Sequence, residues 1–446
     1  MTKATIAGGA AVLLALAAGC SPLDDDLEVD ETTLAAASDW TAAAAETHPS
    51  FLYGRITTDR GDTYEGRLRF RGDQEAFWGD YFNGFRAGNP WEEQVPAGKL
   101  PRGRSRISFL GFEINFRGPR INLRRPFMSR FGDIAKIEAD GRELDVTLKS
   151  GSVVHLDRYS ADDFADGVRV WDVKRGVVDF GERPIRTIEF LPPARPSASD
   201  PHQLYGTVRT REGDFTGFLE WDREGSVGMD ELHGLADEGE LVSLPFATIR
   251  SIARASEESA RVTLLDDRQV VLSGDRSVGE GHAGIYVDDV RYGRVLISWD
   301  AFERVDFKEP GPGVSGPAYG DFPAGGPLMG TVTTRDGRRL AGRLVYDLDE
   351  SEITETLDAP SRGVDYTIPF GLVGSIVIAG REGPARVMLR SGEELQLERS
   401  GDLGELNAGL LIFVDGREHP EYVSWSDVAQ VDFDPPASMY PSVAGG

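Results

Sequence analysis

Cysteine is almost absent from this chain, since Cys20 is the only one in 446 residues. A single thiol excludes a disulfide within the chain and a cysteine-based zinc site. Histidine is also scarce, and no two histidines have the spacing of paired metal ligands; the six are His48, His155, His202, His233, His282 and His419. No G-x-S-x-G motif, Walker loop or dinucleotide loop is present. We therefore expect no cofactor, no metal and no enzymatic activity.

Basic residues are also in short supply. The chain has 48 Lys and Arg against 74 Asp and Glu, which gives a formal net charge of −26. Proteins that bind nucleic acid draw much of their affinity from cations that neutralise phosphates. The composition therefore predicts that nucleic acid is not a partner.

Long apolar runs are missing except at the amino terminus, which reads "MTKATIAGGAAVLLALAAGC". Lys3 precedes a short apolar stretch that ends in small residues, which is typical of a secretory signal and too short for an ordinary membrane span. With Cys20 at its end, the segment resembles a bacterial lipoprotein signal, although Ala17 stands where Leu is commonest. The alternative is an ordinary cleaved signal that happens to contain a cysteine.

The resemblance implies that residues 1–19 are removed, that Cys20 is lipidated and that the chain is anchored to a membrane of the cell envelope. Ser21 after the cysteine implies the outer membrane, facing the periplasm or the cell surface. Residues 20–50 hold many alanines, eight acidic residues after Cys20 and no Lys or Arg. This composition predicts a disordered tether.

The remaining chain contains three long repeats. Their opening segments are "LYGRITTDRGDTYEGRLRF" at 52, "LYGTVRTREGDFTGFLEWD" at 204 and "LMGTVTTRDGRRLAGRLVYD" at 328. Alternating apolar and polar residues indicate strands, and a glycine between two such runs indicates a tight hairpin. Gly61, Gly213 and Gly337 are expected at positive φ in these turns. The later Gly66, Gly217 and Gly342 predict a bulge or a sharp bend.

Each long repeat consists of two related halves, and the pattern of turn glycines and short alternating strands resembles the Sm-like or SH3-like small β-barrel. The fold class that we expect is all-β, with three tandem pairs of such barrels behind the lipidated tether. RNA-binding Sm proteins carry an Asp-x-x-Met-Asn signature, but here Asp230 follows Met229. The resemblance therefore implies no RNA binding.

Proline-rich stretches suggest where one long repeat ends and the next begins, with looser junctions there than within each repeat. The expected units are 51–138, 143–191, 203–254, 259–308, 327–379 and 384–434, with linkers at 192–202 and 309–326 and a tail at 435–446. Whether the two halves of a repeat form separate or fused barrels is left open.

One insertion, roughly residues 85 to 125, interrupts the first repeat. It holds nine Arg and Lys against three Glu, and its centre reads "SRISFLGFEINF". A basic, aromatic segment on an acidic chain is our candidate partner-binding surface. Its candidate residues are Trp91, Arg102, Arg104, Arg106, Phe109, Phe112, Phe116, Arg117, Arg120, Arg124 and Arg125. In the alternative interpretation the arginines pair with nearby acids and the aromatic residues cap the first barrel.

Three functions remain open. The first is a non-catalytic envelope lipoprotein that acts as a scaffold for an envelope protein. The second is a binder of a glycan or another surface polymer through the insertion, and the third is a hydrolase that the sequence does not reveal. The acidic stretch "DLDESE" at 347–352 lacks the spacing of a calcium loop, so we expect it to be a solvated loop.

Overall fold

The computed structural model describes residues 49–436 with short gaps. The gaps are 71–73, 80, 97–98, 100–104, 110–111, 117–125, 173, 194–202, 224, 237–238, 275, 312–313, 315 and 379–382, and only the backbone is described within 105–116. The signal segment, Cys20 and most of the tether lie outside the described residues. The described chain is built almost entirely of β-strands, which confirms the all-β prediction.

The first repeat contains twelve strands and one short helix, α1 (Asp162–Ala165). The strands are β1 (Tyr53–Thr58), β2 (Thr63–Phe70), β3 (Tyr81–Phe85), β4 (Ser105–Phe109), β5 (Phe112–Phe116), β6 (Pro126–Arg130), β7 (Ile134–Asp140), β8 (Glu143–Leu148), β9 (Val153–Asp157), β10 (Val168–Asp172), β11 (Gly176–Phe180) and β12 (Ile185–Phe190).

The second repeat contains ten strands that correspond to those of the first repeat without β4 and β5. They are β13 (Tyr205–Thr210), β14 (Gly213–Trp221), β15 (Glu231–Leu235), β16 (Leu241–Pro245), β17 (Ile249–Ser256), β18 (Ser259–Leu264), β19 (Gln269–Ser273), β20 (Ile285–Asp289), β21 (Gly293–Ile297) and β22 (Phe302–Phe307).

The third repeat follows the same ten-strand plan. Its strands are β23 (Met329–Thr334), β24 (Arg339–Val345), β25 (Thr356–Ser361), β26 (Val364–Pro369), β27 (Val373–Val377), β28 (Ala385–Leu389), β29 (Glu394–Leu397), β30 (Leu410–Phe413), β31 (Glu421–Val423) and β32 (Val428–Phe433). Short 3-10 turns precede β7, β17, β27 and β32 at the apolar residues Phe131, Phe246, Phe370 and Trp425.

All three repeats share one strand order. In the first repeat this order is β11-β10-β2-β1-β12-β7-β8-β9, and equivalent strands follow the same order in the other two. The last strand of each repeat lies between its first strand and the strand that ends its first half, as β12 does between β1 and β7. The two halves of a repeat therefore interleave in one sheet, which answers the question that the sequence left open.

The glycines of the opening hairpins serve two purposes. Gly61, Gly213 and Gly337 have positive φ, which confirms the prediction for the hairpin turns. Of the two features predicted for the later glycines, the bulge is wrong, because the ladders run through Gly66, Gly217 and Gly342 without a register shift, and the sharp bend stays a prediction. A Cβ at Gly217 would instead collide with the backbone carbonyl of Asp288 on the neighbouring strand β20. The same close approach occurs at Gly66 and Gly342.

The junctions between repeats are tighter than the linkers suggested. Strand β21 of the second repeat pairs with β26 of the third, and one buried apolar cluster contains residues of both repeats. Within the proposed linker 309–326, Phe322 is buried in the core of the first repeat, and the Tyr319 hydroxyl donates to the Ile134 carbonyl at 3.0 Å. The expectation of a loose junction was therefore wrong for the second and third repeats, since strands and the linker 309–326 bury surface against a neighbouring repeat. The other proposed linker, 192–202, lies almost entirely outside the described residues.

We expect Gly217→Ala to lower the free energy of unfolding by roughly 1–3 kcal/mol or more, because the new methyl group must displace the backbone of β20. Gly181→Ala is the matched control, since a Cβ there meets no atom within 4 Å. Urea unfolding followed by circular dichroism measures both. Equal stability of the two variants would contradict the close-approach explanation.

Candidate binding cleft between the first and third repeats

The first part of the insertion docks onto the third repeat through Arg86. The Arg86 Nε lies 2.8 Å from Asp349 Oδ1, and its Nη2 lies 2.9 Å from Glu355 Oε1. All three side chains are about nine-tenths buried. A buried charge needs a close partner of opposite sign, so these carboxylates fix the position of Arg86 and of the chain that follows it.

Residues after Arg86 continue this contact. The Asn89 side-chain amide donates to the Leu348 carbonyl at 2.9 Å, and its Oδ1 accepts the Trp91 backbone N–H at 2.8 Å. The turn that carries the Leu348 carbonyl has an unusual backbone. Asp347 and Leu348 have φ of 51° and 55°, which residues other than glycine seldom adopt. Val95 completes the contact in a small apolar cluster with Leu348. We name residues 86–99 the clamp.

The acidic loop 347–352 is built into this junction and is not the solvated loop that we expected. Asp347 and Asp349 are buried, and an Asp347 oxygen accepts the backbone N–H of Ala408. Burial raises the pKa of Glu350 well above its usual value, and Asp402 adds to the increase. Among the described residues, no group of three His, Cys, Asp or Glu is arranged to hold a metal ion. Asp347 is thus a partner for a backbone N–H group, and Asp349 is a partner for Arg86.

A cleft of about 390 Å³ lies beside the clamp. Its walls come from the clamp, from the β8–β9 turn of the first repeat and from the loops around β24 of the third. The lining residues that bear on recognition are Arg86, Trp91, Ser150, Ser152, Arg343 and Glu352. The volume is within the range of small-molecule sites, which is roughly 300–1,000 Å³.

Glu352 is the most informative residue in this cleft. Only 7% of it is exposed, and its Oε1 accepts hydrogen bonds from the hydroxyls of Ser150, at 2.9 Å, and Ser152. Its Oε2 is buried and has no hydrogen-bond partner among the described residues. Burial raises the pKa of this carboxyl, and the two serine hydrogen bonds partly oppose the increase. A buried acceptor without a donor carries a desolvation cost that a ligand donor would remove.

Arg343 supplies a positive charge to the lining of the cleft. Its guanidinium lies 3.9 Å from the Phe413 ring centroid and 5.3 Å from that of Trp91. Burial lowers the pKa of Arg343, and no carboxylate lies within ion-pair distance of it among the described residues. The guanidinium therefore keeps donors available to a ligand, while the aromatic rings hold it in place.

The cleft thus offers a carboxylate acceptor, a guanidinium donor, two serine hydroxyls and an indole ring. Among the charged residues that line the cleft, two cations, Arg86 and Arg343, stand against two carboxylates, Glu352 and Glu355. Asp349, the second partner of Arg86, is not part of the lining. Such a lining suits a ligand that is neutral or zwitterionic, that carries several hydroxyl or amide groups and that has one apolar face.

Of the candidate residues in the insertion, Trp91 is the one whose side chain the structure describes, and it lines the cleft. The backbone places Arg106 and Phe109 on β4 and Phe112 and Phe116 on β5, with Phe109 opposite Phe112. The other candidates lie outside the described residues, namely Arg102, Arg104, Arg117, Arg120, Arg124 and Arg125.

Sequence reasoning missed Arg86, Ser150, Arg343 and Glu352 as site residues. Glu352 lies in the acidic stretch that we had considered only for calcium, and Arg86 had been counted as one basic residue of the insertion. Nothing in the local sequence marks Ser150 or Arg343. The alternative interpretation of the insertion fits in one respect, because Arg86 pairs with acids, although these acids belong to the third repeat. Trp91 packs against Phe413 of the third repeat. For the arginines of the candidate set, the alternative stays a prediction.

Comparisons with known proteins add no family assignment. The chain matches no protein-family model, no curated protein and no solved structure. No helix among the described residues is both long and apolar enough to span a membrane. A functional proposal therefore depends on the geometry of the cleft.

We expect Arg86→Met to lower the free energy of unfolding by about 3–5 kcal/mol, because it leaves the carboxylates of Asp349 and Glu355 buried without a cation. Arg142→Met is the control, since Arg142 pairs with Asp157 at the surface and is 77% exposed. Such exposed pairs contribute less than about 1 kcal/mol. Thermal and urea unfolding measure both variants, and equal losses would show that the clamp is not a buried ion-pair contact.

Proposed function

We propose that this chain is a non-catalytic binding protein of the cell envelope that holds a saccharide unit of a surface polymer in the cleft beside the clamp. The observation that carries the proposal is the buried Glu352 Oε2, which lacks a donor in a cleft that also contains Trp91 and Arg343. A sugar ring has hydroxyls that donate and accept, and it has C–H faces that pack on aromatic rings. It therefore matches the three kinds of group in this lining.

The way in which the cleft is built supports binding. Its two walls belong to different repeats, and the Arg86 ion pairs and the Asn89 hydrogen bond hold these walls together. Groups that are already held in place lose little conformational entropy when a ligand binds. The cleft is therefore preorganised, as a non-catalytic receptor requires.

The envelope location belongs to this proposal through the lipoprotein-like signal and Cys20. Lipidation at Cys20 would attach the chain to the membrane. A saccharide of the envelope would then be within reach of the cleft. Loss of membrane association in Cys20→Ser, judged by fractionation of the full chain, tests this part separately.

Trp91→Ala is expected to weaken saccharide binding roughly thirtyfold, which corresponds to the ~2 kcal/mol of an interface hot spot. Glu352→Gln is expected to weaken it roughly tenfold, because the amide replaces a charged acceptor. Calorimetric titration of the full chain with soluble fragments of envelope polysaccharide and of peptidoglycan measures both effects.

Trp171→Ala is the matched control for Trp91. Trp171 is also half-buried and has an arginine, Arg67, 4.9 Å from its ring, but it does not line the cleft. The saccharide site is rejected if the saccharide binds Trp91→Ala with the same affinity as it binds Trp171→Ala and the parent chain. Unfolding curves must be recorded in parallel, since Trp91 also packs against Phe413 at 5.9 Å.

A protein scaffold is the second candidate, and the hairpin β4–β5 favours it. Its two strands pair with each other and with no other strand that the structure describes. β4 lies near the 3-10 turn Gly401–Leu403 of the third repeat, whereas β5 has β4 as its one strand partner among the described residues. A strand edge without a second partner is a template for strand addition. If the chain is a scaffold, the surface that contacts the protein partner is the β4–β5 hairpin, which follows the clamp in the insertion.

Deletion of residues 100–125 separates the two candidates, because it removes the hairpin and leaves the clamp residues 86–99. If the scaffold function is correct, crosslinking in intact envelopes loses a defined protein partner while saccharide binding persists. If the partner is retained by this variant, the hairpin is not the contact surface. A deletion that began at residue 86 would also break the Arg86 ion pairs and could not make this distinction.

A further inference from the structure

A second cavity of about 370 Å³ lies between the second and third repeats, away from the cleft beside the clamp. The second repeat contributes the turn before β14 and the turn between β20 and β21, while the third contributes β26 and β29. The pairing of β21 with β26 fixes these walls relative to each other. The cavity is therefore part of the architecture and does not depend on a flexible loop.

Three aromatic rings form the floor of this cavity. Phe215, Tyr292 and Tyr366 are each at most 5% exposed and pack edge to face, with ring centroids 5.6–6.0 Å apart. Each ring packs against its neighbours, and the Arg291 guanidinium lies 4.6 Å from the Tyr292 ring centroid, so the floor combines partly covered rings with two phenol oxygens. Such a floor packs against methylene groups and accepts hydrogen bonds.

The two phenol groups differ in their partners. The Tyr292 hydroxyl donates to Glu393 Oε1 at 2.6 Å. The Tyr366 hydroxyl has no hydrogen-bond partner among the described residues; the residue is 5% exposed and lines the cavity, and its oxygen is not one of the fully buried polar atoms. Burial raises the pKa of Tyr366, and the nearby carboxylates of Glu212 and Glu393 raise it further. The unpartnered oxygen therefore lies in a negative environment at the cavity wall.

The charges around the cavity do not balance. Four carboxylates line it, those of Glu212, Asp214, Glu393 and Glu394, against one cation, Arg291. Arg291 is already engaged, because its Nε and Nη2 lie 2.9 and 2.7 Å from the carboxylate oxygens of Asp289.

Two of the four carboxylates have arginine partners at the outer surface. Arg362, which is 80% exposed, lies 3.1 Å from Glu212. Arg386 lies 3.8 Å from Glu394. These exposed pairs are screened by solvent and salt. The lining therefore keeps an excess of acceptors and of negative charge.

We propose that this cavity binds a primary ammonium group at the end of an alkyl chain, either a free diamine or the lysine side chain of a partner. The ammonium would donate to the Tyr366 oxygen and to the Glu393 and Glu212 carboxylates, and its methylene groups would lie on the aromatic floor. A primary ammonium has three N–H donors, which suits a floor that offers oxygens. A quaternary ammonium has no N–H donor for these oxygens.

Calorimetric titration of the full chain with cadaverine (1,5-diaminopentane), and with an acetylated tripeptide that has lysine at its centre, tests the proposal. The same tripeptide with norleucine in place of lysine removes the ammonium and keeps the alkyl chain. We expect binding by cadaverine, by the lysine peptide or by both, and none by the norleucine peptide. Binding of cadaverine alone indicates that the ligand is a free amine. Binding of the lysine peptide indicates that the ligand is a lysine side chain of a protein partner.

Substitutions of two lining residues test whether the amine binds in this cavity. Glu393→Gln is expected to weaken the binding roughly ten- to a hundredfold, since it removes a charged acceptor, and Tyr366→Phe several-fold. Glu258→Gln is the matched control, because Glu258 is exposed and lies in the turn between β17 and β18. Trp91→Ala should leave amine binding unchanged, which separates this result from the saccharide proposal.

Two outcomes overturn the proposal. One is equal weakening by Glu393→Gln and Glu258→Gln, which would mean general attraction of cations to a chain with a net charge of −26. The other is binding of the norleucine peptide with the affinity of the lysine peptide, which would mean that the ammonium is not recognised. An unchanged unfolding curve for each variant establishes that the comparison concerns binding.

Discussion

The fold depends on a pair of glycines at the centre of each repeat. Gly206 on β13 lies directly opposite Gly217 on β14, and the pairs Gly54 with Gly66 and Gly330 with Gly342 are equivalent. A Cβ at Gly206 would lie 2.6 Å from the Asp306 carbonyl oxygen of β22, on the other side of the hairpin from β20. Each glycine therefore admits a neighbouring strand at close range. These two strands come from the second half of the repeat, so the glycine pair is what allows the halves to interleave.

Contacts between the repeats use a different kind of interaction. The second and third repeats share a ladder and an apolar core. The first repeat shares no ladder with either of them among the described residues. Besides apolar contacts such as that of Trp78 with Phe218, it meets the third repeat through the Arg86 ion pairs and the second through Arg294. Arg294 is 1% exposed, donates to the Gly79 carbonyl at 3.1 Å and lies 3.6 Å from the Tyr81 ring centroid. Buried charges add little net stability, but a misplaced partner is costly. They therefore favour one relative position of the repeats.

Both cavities with a functional proposal lie where two repeats meet. The cleft takes Trp91 and Ser150 from the first repeat and Glu352 from the third, and the amine cavity takes Tyr292 from the second and Tyr366 from the third. Turns at the ends of strands are free to vary in sequence, while the sheets behind them are held by ladders and cores. Repetition of one sheet thus creates junctions, and the loops at each junction give it a different chemistry.

The amino-acid sequence by itself determined the local features of this protein. The strands, the three repeats and the turns at Gly61, Gly213 and Gly337 were predictable because alternation and positive φ are properties of neighbouring residues. Of the site, the sequence indicated Trp91 alone, through the unusual composition of the insertion. Only the tertiary structure decided that the halves interleave, that the linker docks and that Glu352 is buried beside Ser150. Those facts depend on contacts between residues up to about two hundred positions apart, such as the hydrogen bond from Ser150 to Glu352 with a separation of 202. Backbone ladders and buried charges select such contacts, and no local pattern encodes them.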